Sequence, residues 1–283
     1  MGSDDTDKIT EKQSALEELK AEEAFLEPLK EKLLQLITNE NLDEEECRPI
    51  CEDDNFLRRC LVSSLNDEKK AFKLGTSCLR FRHKYKPRQI KCDDDFPTAA
   101  SQNFVSFSHG HAKKNGWPVI YLTAKNWNPW KYSTDEYIRM MAFTLETGEQ
   151  AMDPDQPLSR MYIILDMQKF SLFNNDLRKI RLFAKLTSEL YPERCIGVAV
   201  NADVVTTIMW NLFAPLLDQR TRDGVAIFRP GRFEGWLQNT IGLDVCPPSL
   251  GGTLSEELPP MSGETAEQYH WGNQQKTVLS SSK

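Results

Sequence analysis

The sequence predicts an α/β protein in two parts, a helical N-terminal lobe and then a mostly parallel sheet flanked by helices. Three observations carry this. Between Thr10 and about Lys86, apolar residues recur at three- and four-residue intervals and no strand pattern interrupts them. From Phe96 onward, short β-type runs alternate with helix-type runs, the pattern of βαβ units. Finally, the 14 residues 204–217 offer only Thr206, Thr207 and Asn211 as polar side chains. A helix there is apolar around nearly its whole circumference, so it lies in a core or meets something greasy outside the protein. It is too short to cross a bilayer.

Taken in order, residues 10–39 place Leu16, Leu19, Leu26, Leu29, Leu33 and Leu36 at helical spacing and read as one or two amphipathic helices. The acidic run 43–46 and Pro49 end that block and read as a solvated connection. Asp53 and Asp54 can cap a helix through Phe56, Leu57, Cys60 and Leu61. Residues 68–83 carry Ala71, Phe72, Leu74, Cys78, Leu79 and Phe81 on one side. The basic tail after Leu79 (Arg80, Arg82, His83, Lys84, Lys86, Arg88) suits a helix C-terminus. Beyond Pro87 the candidate strands are residues 119–123, 162–166, 197–201 and 225–228. Helical runs 133–150, 175–190 and 204–217 lie between them. Trp127 and Trp130 fall in a loop and are expected to cover the core edge. Residues 231–243 read as a short helix through Phe233, Trp236, Leu237 and Ile241. A rigid turn and then a flexible one follow at 246–252. The chain thus divides into a flexible 1–9, a helical lobe 10–92, an α/β domain 96–256 and a polar, disordered tail 257–283.

Composition limits the function classes. A net charge of −7, with 40% hydrophobic and 27% charged residues, describes an ordinary soluble chain. It argues against nucleic-acid binding and against broad electrostatic attachment to anionic membranes. Any membrane contact is therefore local and apolar. The 7 cysteines are scattered and unpaired in spacing, as in a reducing compartment, and the acidic N-terminus is unlike a secretory signal. Both point to the cytoplasm. Gly2 opens a loose M-G-x-x-x-[ST] myristoylation pattern without a polybasic second anchor. No phosphate-binding glycine loop, HExxH or GxSxG is present, and His109 and His111 lack metal-ligating companions. No cofactor, metal or enzymatic activity is expected. Asp166 ends a β-run, where catalytic carboxylates often sit, and Asp203 reads as the N-cap of the greasy helix.

Four ordered stretches resemble the CRAL-TRIO lipid-transfer family, in particular the fungal phosphatidylinositol/phosphatidylcholine transfer proteins. They are Gly116-Trp117-Pro118-Val119-Ile120-Tyr121, then Ile163-Ile164-Leu165-Asp166-Met167. Next come Tyr191-Pro192-Glu193-Arg194 with Asn201-Ala202, Leu212-Phe213-Ala214-Pro215-Leu216-Leu217-Asp218 and Thr221. The last is Pro248-Ser249-Leu250-Gly251-Gly252. Asp53-Asp54 with Leu57 and Arg59 is similar to the start of the family's helical region. The resemblance covers roughly residues 50–256.

It implies a CRAL-TRIO fold enclosing an apolar lipid pocket, lined by Tyr121, Ile163, Leu165, Val200, Thr207, Met209 and Phe213. It also implies a mobile gate helix carrying Val204, Ile208, Trp210, Leu212, Leu216 and Leu217. Glu193, Thr221, Arg220 and Arg222 are the candidate headgroup contacts. The departures weaken a phosphatidylinositol site. Gly224 stands where phosphatidylinositol-binding members carry a lysine, Ser64 where they carry an arginine, and Met161 and Ile163 where a serine and threonine hold choline lipids. Arg220 and Arg222 are the candidates to substitute. The expected partners are one phospholipid or other hydrophobic ligand and, transiently, a membrane surface, with the protein a peripherally associated monomer. The competing expectation is a scaffold whose pocket is plugged by Met209, Trp210 and Phe213.

Overall fold

The computed structural model describes residues 23–156, 158–171, 176–217, 219–259 and 261, without the side chains of His109, Phe213, Leu216 and Thr221. The Gly2 pattern, the expected helix over 10–22, Asp218 and the tail beyond 261 lie outside the described residues.

The N-terminal lobe is built from α1 (Leu26–Glu40), α2 (Glu44–Glu52), α3 (Asp54–Ser63) and α4 (Glu68–Tyr85). Leu26, Leu29, Leu33 and Ile37 are the buried stripe of α1. They join Ile50, Leu57, Leu61 and Leu79 in a core separate from the sheet. Aspartates start the next three helices: Asp43, Asp53 and Asp67 accept the backbone N–H groups of Glu46, Asn55 and Lys70. The acidic run 43–46 is therefore the first turn of α2 rather than a connection. Its carboxylates sit where the helix dipole favours negative charge, and Pro49 is tolerated inside this short helix.

The second part is one five-stranded sheet, in the order β1 (Val105–His111), β2 (Pro118–Thr123), β3 (Met161–Asp166), β4 (Cys195–Val200), β5 (Val225–Ile227). Strand β1 runs antiparallel to β2, and the remaining pairs are parallel. Strand β1 was not among the expected strands. Its buried Val105 and Phe107 alternate with Ser106 and Ser108, so it shows no continuous apolar run. The parallel strands are linked through α5 (Thr134–Gln150), α6 (Leu177–Lys185), α7 (Val204–Phe213) and the short α8 (Gln219–Asp223). Ser133 and Glu136 form a capping box on α5. Asp203 caps α7 as expected, accepting the Thr206 N–H at 2.9 Å.

Both faces of the sheet are covered, as parallel sheets require. Ile120, Leu122, Met161 and Ile163 face α5, where Met140 and Phe143 meet them. Tyr121, Tyr162, Ile164, Val198 and Val200 face the other way, against Phe233, Trp236 and Ile241. Strand register sets this division: Ile120, Ile163, Gly197 and Val225 form one row, and Tyr121, Ile164, Val198 and Ala226 the next. At the turn 246–252 the Gly251 and Gly252 N–H groups donate to the Pro248 and Pro247 carbonyls. Gly251 has φ +80°, and a Cβ on Gly252 would stand 1.8 Å from the Cys246 carbonyl oxygen. No described helix is long and apolar enough to cross a membrane.

Candidate binding cavity

A cavity of about 260 Å³ lies between the first face of the sheet and helices α6 and α7. Its floor is Leu122 of β2, Ile163 and Leu165 of β3, Gly197 and Ala199 of β4, and Val225 and Ile227 of β5. The period-two alternation of each strand delivers these residues to one side. The small Gly197 and Ala199 on β4 leave the space open. Ile180 and Phe183 of α6, with Met209 and Trp210 of α7, form the roof. Phe104, Trp127, Tyr137, Met167 and Phe170 close the end beside the carboxyl ends of β2 and β3. The Trp127 indole N–H donates to the Tyr132 hydroxyl at 2.7 Å, and its ring stacks on Phe104. With its polar edge satisfied, Trp127 serves as apolar wall. Lys179 ties α6 to this end by donating to the carbonyls of Pro129 and Tyr132; burial pulls its pKa down.

The opposite end is polar. Arg160 precedes β3 and Glu193 precedes β4, so both side chains sit at the amino ends of those strands. Arg160 Nη2 donates to Glu193 Oε2 at 2.7 Å, and Arg220 Nε, from α8, donates to Oε1 at 2.8 Å. Glu193 adopts a left-handed backbone, φ 56°, in the turn before β4. Its carbonyl receives Arg59 Nη1 at 2.7 Å and Arg160 Nε at 3.3 Å. Arg59, on α3, also reaches the Ser159 carbonyl, so the helical lobe supports this end directly, and Ser63 of the same helix enters the wall. Further back, Arg194 pairs with Glu149 and Arg82 with Glu146, both at 2.5 Å. The last turn of the α6 segment, Leu186–Leu190, is a π-turn. It brings Thr187 and Ser188 into the wall with their hydroxyls bonded to the Phe183 and Ala184 carbonyls.

Helix α7 has two apolar faces. Thr206, Met209 and Trp210 point into the cavity. Val204, Ile208 and Leu212, four residues apart, point outward and are 75%, 48% and 62% exposed.

A CRAL/TRIO domain profile matches residues 101–252. The chain belongs to the CRAL/TRIO family. A CRAL-TRIO domain-containing protein of Schizosaccharomyces pombe is 26% identical over 151 residues, with 49% of this chain and 42% of that relative covered. This chain thus matches well under half the length of that protein. The crystal structure of Sfh5 superposes with a TM-score of 0.66 at 16% identity, covering 91% of this chain and 95% of Sfh5. The fold is thereby that of a CRAL/TRIO protein, a family whose members bind lipids.

On this CRAL/TRIO frame the expected site residues separate. Ile163, Leu165, Met209, Trp210 and Leu217 line the cavity. Tyr121 and Val200 do not: each is one position out of phase with the floor and packs in the core on the other face. Thr207 is turned to solvent, its hydroxyl donating to the Asp203 carbonyl. Glu193 and Arg220 are brought together, whereas Arg222 turns away to Gln219 at 2.6 Å. The side chains of Phe213, Leu216 and Thr221 lie outside the described residues. Trp130, expected on the core edge, is 58% exposed. Asp166 accepts from Asn201 at 2.8 Å and from the Gln168 N–H, tying two strand ends together. Met161 packs against Gly148 of α5, where a Cβ would stand 2.6 Å from its sulfur. Sequence reasoning missed Arg160 and Phe183, and it gave Trp127 a covering role at the core edge without placing it in the cavity wall. Arg59 was noted only as part of the family resemblance, and nothing in the local pattern marks Arg160 as buried.

Proposed function

We propose that the chain holds one hydrophobic or amphiphilic lipid in this cavity and exchanges or presents it at membranes, with α7 as the mobile cover. The observation that carries the reading is the two-faced apolarity of α7. One face completes a greasy cavity, and the other exposes Val204, Ile208 and Leu212 to whatever lies outside. A water-facing apolar stripe costs free energy unless it meets an apolar surface, and a bilayer is one. The driving force for loading is ample: at about 0.8 kcal/mol per buried methylene, one long acyl chain supplies on the order of 10 kcal/mol before ordering costs. Phosphatidylinositol is the weaker ligand choice, because the Glu193 carboxylate is already held by Arg160 and Arg220.

The test is transfer of fluorescent lipids between donor and acceptor vesicles, with Ala199→Phe as the blocked control. Ala199 lies on the cavity floor, so a phenyl ring there fills the space. The wild type should accelerate transfer, and the folded variant should fall to the spontaneous rate. Equal transfer by both would remove the cavity from the mechanism. A scaffold reading draws on Met209 and Trp210 projecting into the cavity, and it predicts no acceleration by either protein.

A further inference from the structure

We infer that a second, polar cleft on the opposite face of the sheet binds a small α-amino acid, its ammonium on Asp166 and its carboxylate toward Lys125. The inference stands apart from the lipid reading, because the two sites share no lining residue.

Strand register builds this cleft. Thr123 and Asp166 are the last residues of β2 and β3 and stand side by side, and Ser106 of β1 pairs with Tyr121. Tyr121 packs on the face away from the lipid cavity, so Thr123, two residues on, shares that face. Asp166 is level with Val200, which belongs to the same core. The outer wall is the closing segment 247–258, and it is fastened in place. The Tyr121 hydroxyl donates to the Val245 carbonyl at 3.2 Å, and the Glu257 carboxylate accepts the Ser249 N–H and hydroxyl, both at 2.9 Å. At the side, Asn126 Nδ2 donates to the Asn103 carbonyl at 2.9 Å.

Charge selects the ligand. Asp166 is 6% exposed. Both of its hydrogen bonds, from Asn201 Nδ2 at 2.8 Å and the Gln168 N–H at 3.0 Å, fall on Oδ1. Among the described residues no cation pairs with Asp166 and no donor reaches Oδ2. A buried carboxylate in that state is costly until a cationic donor meets it. Lys125 lines the same cleft, is exposed at its mouth, and pairs with no described carboxylate. A ligand that joins the two carries an ammonium inside and a carboxylate outside. The hydroxyls of Ser106 and Thr123 also line the cleft without a hydrogen bond to the described residues, and they can accept the remaining ammonium hydrogens. Glu257 competes weakly for that ammonium, being exposed and already accepting from Ser249.

Size agrees with this class. An engineered cavity of about 150 Å³ takes benzene. The cleft, at about 170 Å³, therefore suits a ligand of on the order of seven non-hydrogen atoms, the size of serine.

The experiment is saturation-transfer NMR on the full-length protein with L-serine, glycerate and ethanolamine. Glycerate carries a hydroxyl in place of the amine, and ethanolamine lacks the carboxylate. L-Serine should bind about tenfold or more tightly than either, the size of one charge-assisted hydrogen bond. Asp166→Asn keeps an oxygen for Asn201 and Gln168 while removing the charge, and it should erase the advantage of serine over glycerate. Lys125→Gln alters an exposed position, so folding should survive, and it should erase the advantage over ethanolamine. If circular dichroism shows Asp166→Asn unfolded, the wild-type ranking and Lys125→Gln decide the matter. Ala199→Phe, which fills the lipid cavity, should bind serine as the wild type does. Loss of serine binding in that folded variant would put the amino acid in the lipid cavity and overturn the inference. Equal binding of the three ligands, or no binding of serine, would overturn it too, and neither result touches the lipid reading.

Discussion

Glu149 shows how single residues hold the two lobes together. It lies on α5 of the sheet domain and pairs with Arg194 at 2.5 Å, with Arg82 of the helical lobe at 3.9 Å. Burial opposes its ionisation, but Arg194, Arg82 and Arg59 outweigh that and hold its carboxyl below the ordinary glutamate value of 4.5. A carboxylate with a depressed folded pKa contributes stability above its unfolded pKa and loses it as the pH falls through the folded one. Stability measured by urea unfolding should therefore fall below about pH 4.5. Glu46 works the other way, because burial raises its pKa, so the informative quantity is the difference from a Glu149→Gln variant. That variant should lose about 3 kcal/mol at pH 7, the lower end for breaking a buried pair, and the loss should shrink on acidification. A loss independent of pH would show that the ion pair is not the source. At this scale the sequence was least informative. Arg160 and Arg59 look like surface residues of an amphipathic chain, and only the tertiary meeting of α3, β3 and β4 makes them buried.

At the scale of elements, α7 was the most legible feature, because a helix apolar on every side has few soluble uses. The structure adds which side is which. Replacing Ile208 and Leu212 with glutamate alters only exposed positions, so folding should survive. Each side chain contributes about 1.5–3 kcal/mol when buried in an apolar phase, so the double variant should partition onto vesicles at least about tenfold more weakly. Cosedimentation measures this, and undiminished binding would exclude the outer face of α7 as the membrane contact. The strands were legible in existence and less so in phase. Ile163 and Leu165 lie on the cavity floor, whereas on β2 the floor residue is Leu122 and not Tyr121. A one-residue change of phase sends a side chain to the opposite face, and a strand buried on both faces gives no polar alternation to reveal the phase. Strand β1 escaped because Ser106 and Ser108, although buried, interrupt its apolar run.

For the whole molecule, the order of elements and the ordered motifs determined the fold class, and the family match over residues 101–252 agrees with them. What sequence could not supply was the distribution of space. The cavity exists because Gly197 and Ala199 line up beside Ile163 and Leu165 beneath α6 and α7. Its polarity exists because two lobes meet at Glu193. Both follow from register and docking, which no local pattern encodes. A loaded cavity also links cargo to stability, since a ligand that binds only the folded state raises the unfolding temperature by mass action. The most direct test of the central claim is native mass spectrometry of the purified full-length protein after incubation with lipid vesicles, with lipid analysis of whatever is released. The account predicts one bound lipid per chain, lost on Ala199→Phe. A chain that keeps its bare mass under those conditions would contradict it.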